Sequence, residues 1–403
     1  MNTKVYIYDM DIKKKEKIIS VTFLLYIIIF TFFRTIMSGI FSIYYFDNGV
    51  SESDISSIKA YQNIGILIGL LPSGYFADKF GRLKILSISA LLIAISFIIM
   101  LLFKNEFYFS LAEFLYGIGL AFNSGIVLAY INDLQEKLGI KMDRKIMGFR
   151  TSLANITILI SGNIGSYLYT LNFDFPLILS IMGLSIYPLI IYSWTKYNNL
   201  FDTKAHKSSE LNFLDKKVLK SKNMKFLIFL HAVIEGSAQF ILIYWSIYFV
   251  SELNFNLALV YSISVIGVII GGQFYSITIN HLKNHTSILI YLSIIIVSTA
   301  LIPFFKSFIG ILLFGLFQIG FGAASSALHN FDNEILFQFK NKGQAMSTLS
   351  FFAEIIIILI LFMNKNILDY ISIEYMFFVS AGIALMGIPL IFKLKLFMNK
   401  QST

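Results

Sequence analysis

Four ionisable side chains stand inside long apolar runs: Arg34, Glu113, Glu235 and Glu354. A charge at the centre of a bilayer costs about 2.5–3.5 kcal/mol on insertion scales, so such residues are functional candidates from the outset. A carboxyl group in apolar surroundings can take and release a proton, and a neighbouring guanidinium biases which form it holds. Arg34 and Glu113 both fall in the outer half of their runs, counting a rise of about 1.5 Å per residue. That placement predicts that they pair and that Arg34 tunes a proton on Glu113; the competing reading is a purely structural salt bridge. Glu235 lies near the middle of its run and is the leading candidate for a proton or cationic-substrate site. Glu354, at similar depth, is a further candidate, and either acid could instead be a neutral hydrogen-bonding group. Asn123, Asn155, Gln239, Gln318 and His329 would add solute contacts or hydrogen bonds between helices. Tyr44, Tyr45, Tyr244 and Trp245 would line a cavity or, the default expectation, sit in aromatic belts at the membrane surface.

The elements that carry these groups follow from the apolar pattern. Of 403 residues, 57% are hydrophobic and 14% charged, with a mean hydropathy of +0.75. Soluble domains carry about 25% charged residues, and a helical crossing needs about 20 apolar ones. The pattern predicts twelve helices at 18–46, 55–77, 82–103, 107–131, 146–171, 175–196, 225–250, 256–279, 286–305, 307–330, 344–364 and 374–394. Pro72, Pro176, Pro188, Pro303 and Pro389 fall at their ends or at kinks. The first run is too long for a signal-peptide core and has no small-residue cleavage site, so it is expected to remain as a helix.

Basic residues alternate sharply between loops. Twenty-seven of the 32 Lys and Arg fall on the side that holds both termini. Four fall opposite (Lys59, Lys104, Lys306 and Lys365), and Arg34 lies within a helix. The positive-inside rule then sets both termini in the cytoplasm, in a multi-pass protein of the cell (inner) membrane. The net charge of +9 is read as fixing topology against anionic lipid, not as binding nucleic acid. A polar, Lys-rich stretch at 197–224 separates a six-helix half at 1–196 from another at 225–403, with a surface helix expected around Leu211–Leu219. A shift of 202 residues lays Gly69–Lys84 over Gly271–Thr286, a faint internal repeat.

Other chemistries lack their residues. With no cysteine there is neither disulfide nor thiolate metal site. His281 and His285 have i,i+4 spacing without the adjoining Glu of a zinc helix, and no G-x-x-x-x-G-K-[ST] loop occurs. No metal, no cofactor and no enzymatic activity is expected, and no repeated ring of charge marks a channel.

The sharpest motif is Gly74-Tyr-Phe-Ala-Asp78-Lys79-Phe-Gly81-Arg82-Leu-Lys84, in the cytoplasmic loop after the second helix. Gly74 would allow close helix approach and Gly81 a tight turn. Asp78 would accept from nearby helix N-termini or pair with Arg82. The segment resembles the loop signature of the major facilitator superfamily, G-x-x-x-D-[RK]-x-G-R-[RK], with Leu83 at one basic position. Glu113 through Gly117 stands where that family often has R-x-x-x-G, with Glu for Arg. Ser161 through Ser166 is the nearest match to the exporters' G-P-x-x-G-G and lacks its proline.

The resemblance implies an all-α membrane protein of twelve transmembrane helices in two six-helix halves, in which helices one, four, seven and ten line a central cavity. It implies a monomer that moves a small-molecule substrate by alternating access, with protons and the lipid bilayer as its other partners. Isolated carboxylates among aromatics favour proton-coupled antiport and efflux of an amphipathic compound, such as a drug or self-made antibiotic, conferring resistance. Proton-coupled import of a nutrient or metabolite is the alternative.

Overall fold

The computed structural model describes residues 11–140, 144–203, 219–336, 339 and 342–401. The helix expected around Leu211–Leu219 lies almost wholly outside them. Every regular element among the described residues is helical. Ten stretches are long and apolar enough to cross a membrane. The predicted second and fifth spans are helices of 29 and 28 residues, but they are too polar to meet the same measure. The chain packs as two compact units, one drawn from Met1–Ile40 and Tyr61–Leu211, the other from Phe41–Ala60 and Asn212–Thr403.

The first unit contains α1 (Ile12–Thr35), α4 (Arg82–Leu102), α5 (Glu106–Asn123), α6 (Ile126–Leu138), α7 (Arg144–Leu171), α8 (Phe175–Tyr197) and most of α3 (Glu52–Phe80). The predicted first and fourth helices are therefore each broken once, at 36–40 and at Ser124–Gly125. Small residues bring α3 and α5 together. A Cβ on Gly117 would lie 2.1 Å from the Gln62 carbonyl oxygen, and one on Gly65 2.1 Å from that of Phe114. Backbones this close gain dispersion contacts that lipid tails cannot outcompete. The small stretch at Ser161–Ser166 works likewise: Thr35 and Ser161 hydroxyls meet at 2.6 Å, and Gly165 backs onto the Ile36 carbonyl. Tyr26, Tyr130 and Tyr187 are buried. Each hydroxyl is satisfied, as when Tyr187 donates to the Tyr26 carbonyl at 2.8 Å.

The second unit contains α2 (Phe41–Asp47), α9 (Lys222–Ser246) with a π turn at Ile247–Glu252, α10 (Leu257–Thr278), α11 (Asn284–Leu301), α12 (Phe308–Leu336), α13 (Lys342–Leu368), α14 (Ile373–Leu385) and α15 (Gly387–Gln401). The spatial division departs from the 1–196 and 225–403 halves in one respect, the transfer of 41–60. Polar contacts hold that segment. Ser56 donates to the Leu361 carbonyl at 2.8 Å and accepts from Asn364 at 3.0 Å. Tyr244 donates to the Glu52 carbonyl at 2.9 Å, and Lys365 pairs with Asp54 at 2.5 Å. Tyr44, Tyr45, Tyr244 and Trp245 are all buried, so they are packing residues and not a lipid-facing belt; Trp245, for instance, stacks on Phe314.

Gly74 corrects the expectation made for it. A Cβ there meets nothing within 4 Å, and the close approach belongs to Gly65 and Gly117. Gly117→Ala should therefore lower stability by about 1–3 kcal/mol, the usual range for overpacking. Gly74→Ala should stay within about 0.5 kcal/mol of the parent. Thermal unfolding of the two purified variants checks the contrast.

Candidate functional site

Each unit gathers ionisable groups inside its helices. In the first, the Arg34 guanidinium near the end of α1 donates to the Tyr116 hydroxyl at 3.4 Å. Tyr116 lies one turn along α5 from Glu113, and both are buried. Arg34 and Glu113 both act electrostatically on that phenol. The predicted partners are thus brought to one place, with Tyr116 as a shared neighbour. Composition alone did not single out Tyr116, although the i,i+3 spacing from Glu113 puts the two on one helix face.

The denser site lies in the second unit. His231, Glu235 and Gln239 follow one face of α9 at i, i+4 and i+8. The His231 ring has a carboxylate at each nitrogen: Nε2 is 2.7 Å from Asp332 Oδ1 on α12, and Nδ1 is 3.4 Å from Glu235 Oε1. The two acids differ in exposure. The Glu235 side chain is 41% accessible and that of Asp332 1%. The second oxygen of Asp332 is buried without a hydrogen-bond partner. Glu354, on α13, lies within electrostatic reach of Glu235. Four titratable groups from three helices therefore form one cluster: Glu235 and Glu354 are visible as charges in apolar runs, whereas His231 and Asp332 gain their place only through packing.

The neutral candidates scatter. Gln318 is buried and donates to Ser264 at 2.7 Å, joining α12 to α10. Asn123 sits at the end of α5 with its amide nitrogen buried and unpartnered. Asn155 and Gln239 are half-buried, and His329 is exposed.

The loop motif between α3 and α4 is a compact ionic knot. Arg82 bridges Asp78 at 3.3 Å and Asp133 of α6 at 2.5 Å. Lys79 is exposed and lies over the Tyr75 ring at 5.5 Å. Gly81 has φ +108°, and a Cβ on it would strike the Asp202 carboxylate, so glycine is required there for both backbone and space. Asp78 takes the expected pairing with Arg82, but capping falls to Asp202, whose Oδ1 accepts from the Leu83 amide at 2.9 Å. The start of the predicted linker is thereby fixed beneath α4.

The four basic residues assigned to the opposite side are all engaged. Lys59 lies over the Phe41 ring at 4.2 Å, Lys104 pairs with Asp174 at 2.8 Å and Lys365 with Asp54. Lys306 pairs with Glu374, whose carboxylate accepts a hydrogen bond from the ammonium and raises its pKa above the ordinary lysine value.

Apolar helices that carry buried charge clusters define a multi-pass membrane protein of the transporter class. The chain belongs to the Major Facilitator Superfamily, whose sequence profile matches residues 22–334. It is 38% identical over 79 residues to an arabinose-proton symporter of Bacillus subtilis (strain 168), a match spanning 20% of this chain and 16% of that symporter. Among solved structures, a mutant of the nucleoside transporter NupG superposes with a TM-score of 0.76 at 13% identity, covering 93% of this chain and 99% of the other. A D-xylose-proton symporter superposes with a TM-score of 0.70 at 14% identity, covering 94% and 97%. At these identities the superpositions establish the fold.

The geometry of Asp202 yields a direct expectation. Asp202→Ala removes the cap of α4 and should cost about 1 kcal/mol. Hydrogen exchange should accelerate at the amides of Leu83 and its neighbours while the C-terminal end of α4 keeps its protection.

Proposed function

We propose that this transporter imports a small polar solute of the sugar or nucleoside class together with protons. It does so by alternating access, with twelve crossings of the cell membrane and both termini in the cytoplasm. The observation that carries the proposal is the acid–histidine cluster of α9, α12 and α13. Such groups are expensive inside a bilayer and are suited to binding and releasing protons within reach of a solute path. The similar proteins add support, since two of them are named as proton symporters of sugars. These names, together with the missing proline in Ser161–Ser166, set import ahead of the efflux expected from the aromatic content. Arg34, Glu113, Glu235 and Glu354 keep their proposed roles in coupling or solute binding. Asn123 and Gln239 remain proposed solute contacts.

Proteoliposomes offered labelled arabinose, xylose and uridine test this reading. With the outside acid, at least one solute should accumulate, and a protonophore should abolish the accumulation. Glu235→Gln should reduce gradient-driven accumulation by about tenfold or more while sparing solute counterflow, because a lost proton site uncouples the two. Accumulation only with an acid interior would reverse the assigned direction. If Glu235→Gln and Glu113→Gln both leave gradient-driven uptake intact, coupling resides elsewhere.

A further inference from the structure

Histidine is unusual in offering two nitrogens on opposite edges of one ring, so that it can accept a proton at one edge while releasing one at the other. In the second unit both edges face carboxylates, and these differ as the two ends of a proton path would. Glu235, at Nδ1, is 41% accessible. Asp332, at Nε2, is 1% accessible and makes a close 2.7 Å contact, while its other oxygen has no hydrogen-bond partner.

We propose that His231 is a proton relay that loads Asp332 from Glu235, making Asp332 the resident proton site of the transporter. The proposal rests on the symport reading above and assigns its coupling step. The transfer balances. Protonated Glu235 gives its proton to Nδ1 of the neutral ring, and Nε2 releases its own to Asp332 Oδ1. Glu235 is left ionised, the ring neutral in its other tautomer, and Asp332 neutral. One proton has moved, and no charge is stranded on the imidazole. The 3.4 Å contact at Glu235 is longer than the 2.7 Å contact at Asp332, so the ring is held more closely at its buried end.

The surrounding helices limit what else could drive the step. Glu354 of α13 lies within electrostatic reach of Glu235, so its charge would favour handing the Glu235 proton onward or keeping it, according to its own state. Glu374 of α14 is paired with Lys306. Lys393 of α15 sits over the Phe226 ring at 5.8 Å.

Carbonyl-region infrared absorption of the full-length protein in phosphatidylethanolamine–phosphatidylglycerol vesicles, titrated with pH in H2O and D2O, tests the relay without any solute. The parent should show a carboxylic-acid band that fills on acidification, disappears in Asp332→Asn and returns shifted in Asp332→Glu. After a pH drop, His231→Gln and Glu235→Gln should fill the same band about a hundredfold more slowly or worse, the lower end of the range for a lost positioned acid–base group. An unchanged titrating band in Asp332→Asn overturns the proposal, as does parental filling speed in either slow variant. Because the signal needs no transported solute, the relay can fail while gradient-driven uptake succeeds, and uptake can fail while the band still titrates as expected.

Discussion

An ionisable group on a helix in lipid must find a partner or face a water-filled interior, because the isolated charge is costly. This constraint organises both units. α5 brings Tyr116 to Arg34 of α1, and α12 brings Asp332 to His231 of α9. The close contacts that make such pairing possible come from residues without bulk. Gly65 and Gly117 draw α3 onto α5, and Gly271 draws α10 onto the Ile319 carbonyl of α12. Neutral polar groups follow the same rule, as Gln318 reaches Ser264 and Ser89 donates to the Gly119 carbonyl.

The apolar pattern located most of the helices, since hydropathy acts over whole spans, but not the breaks at 36–40 and Ser124–Gly125. The loop motif was equally legible: Gly81 and the Asp78–Arg82 pair stand as their spacing predicts. What failed were inferences that need neighbours. The predicted tenth span ends at 330 and leaves Asp332 in a loop, yet α12 continues to Leu336 with Asp332 buried. A lone histidine such as His231 carries no signal until a carboxylate from another helix meets it. Asp202 and Asp133 fall outside the predicted spans, and only tertiary packing sets them against Leu83 and Arg82. Gly74 was credited with an approach that glycines farther up the helix provide.

The transfer of Phe41–Ala60 to the second unit has a similar cause. In sequence it belongs to the first two helices. In space its polar groups find their partners in α13 and α9: Leu361, Asn364, Lys365 and Tyr244. A short polar segment near the end of a span is placed by hydrogen bonds more than by apolar burial, and hydrogen-bond partners are not visible in a hydropathy profile. The choice between import and efflux is likewise not written in composition, because an aromatic-rich interior packs around either kind of cargo.

His231 and Asp332, on this view, form one interacting unit inside the membrane, and the coupling chemistry depends on it. A double-mutant cycle of thermal stability on His231→Gln and Asp332→Asn tests that most directly. Breaking one side of a buried pair strands the other and costs about 3–5 kcal/mol, so each single variant should be strongly destabilised. The double variant should recover much of that loss, with an interaction term of about 1–3 kcal/mol. Strictly additive losses would contradict it.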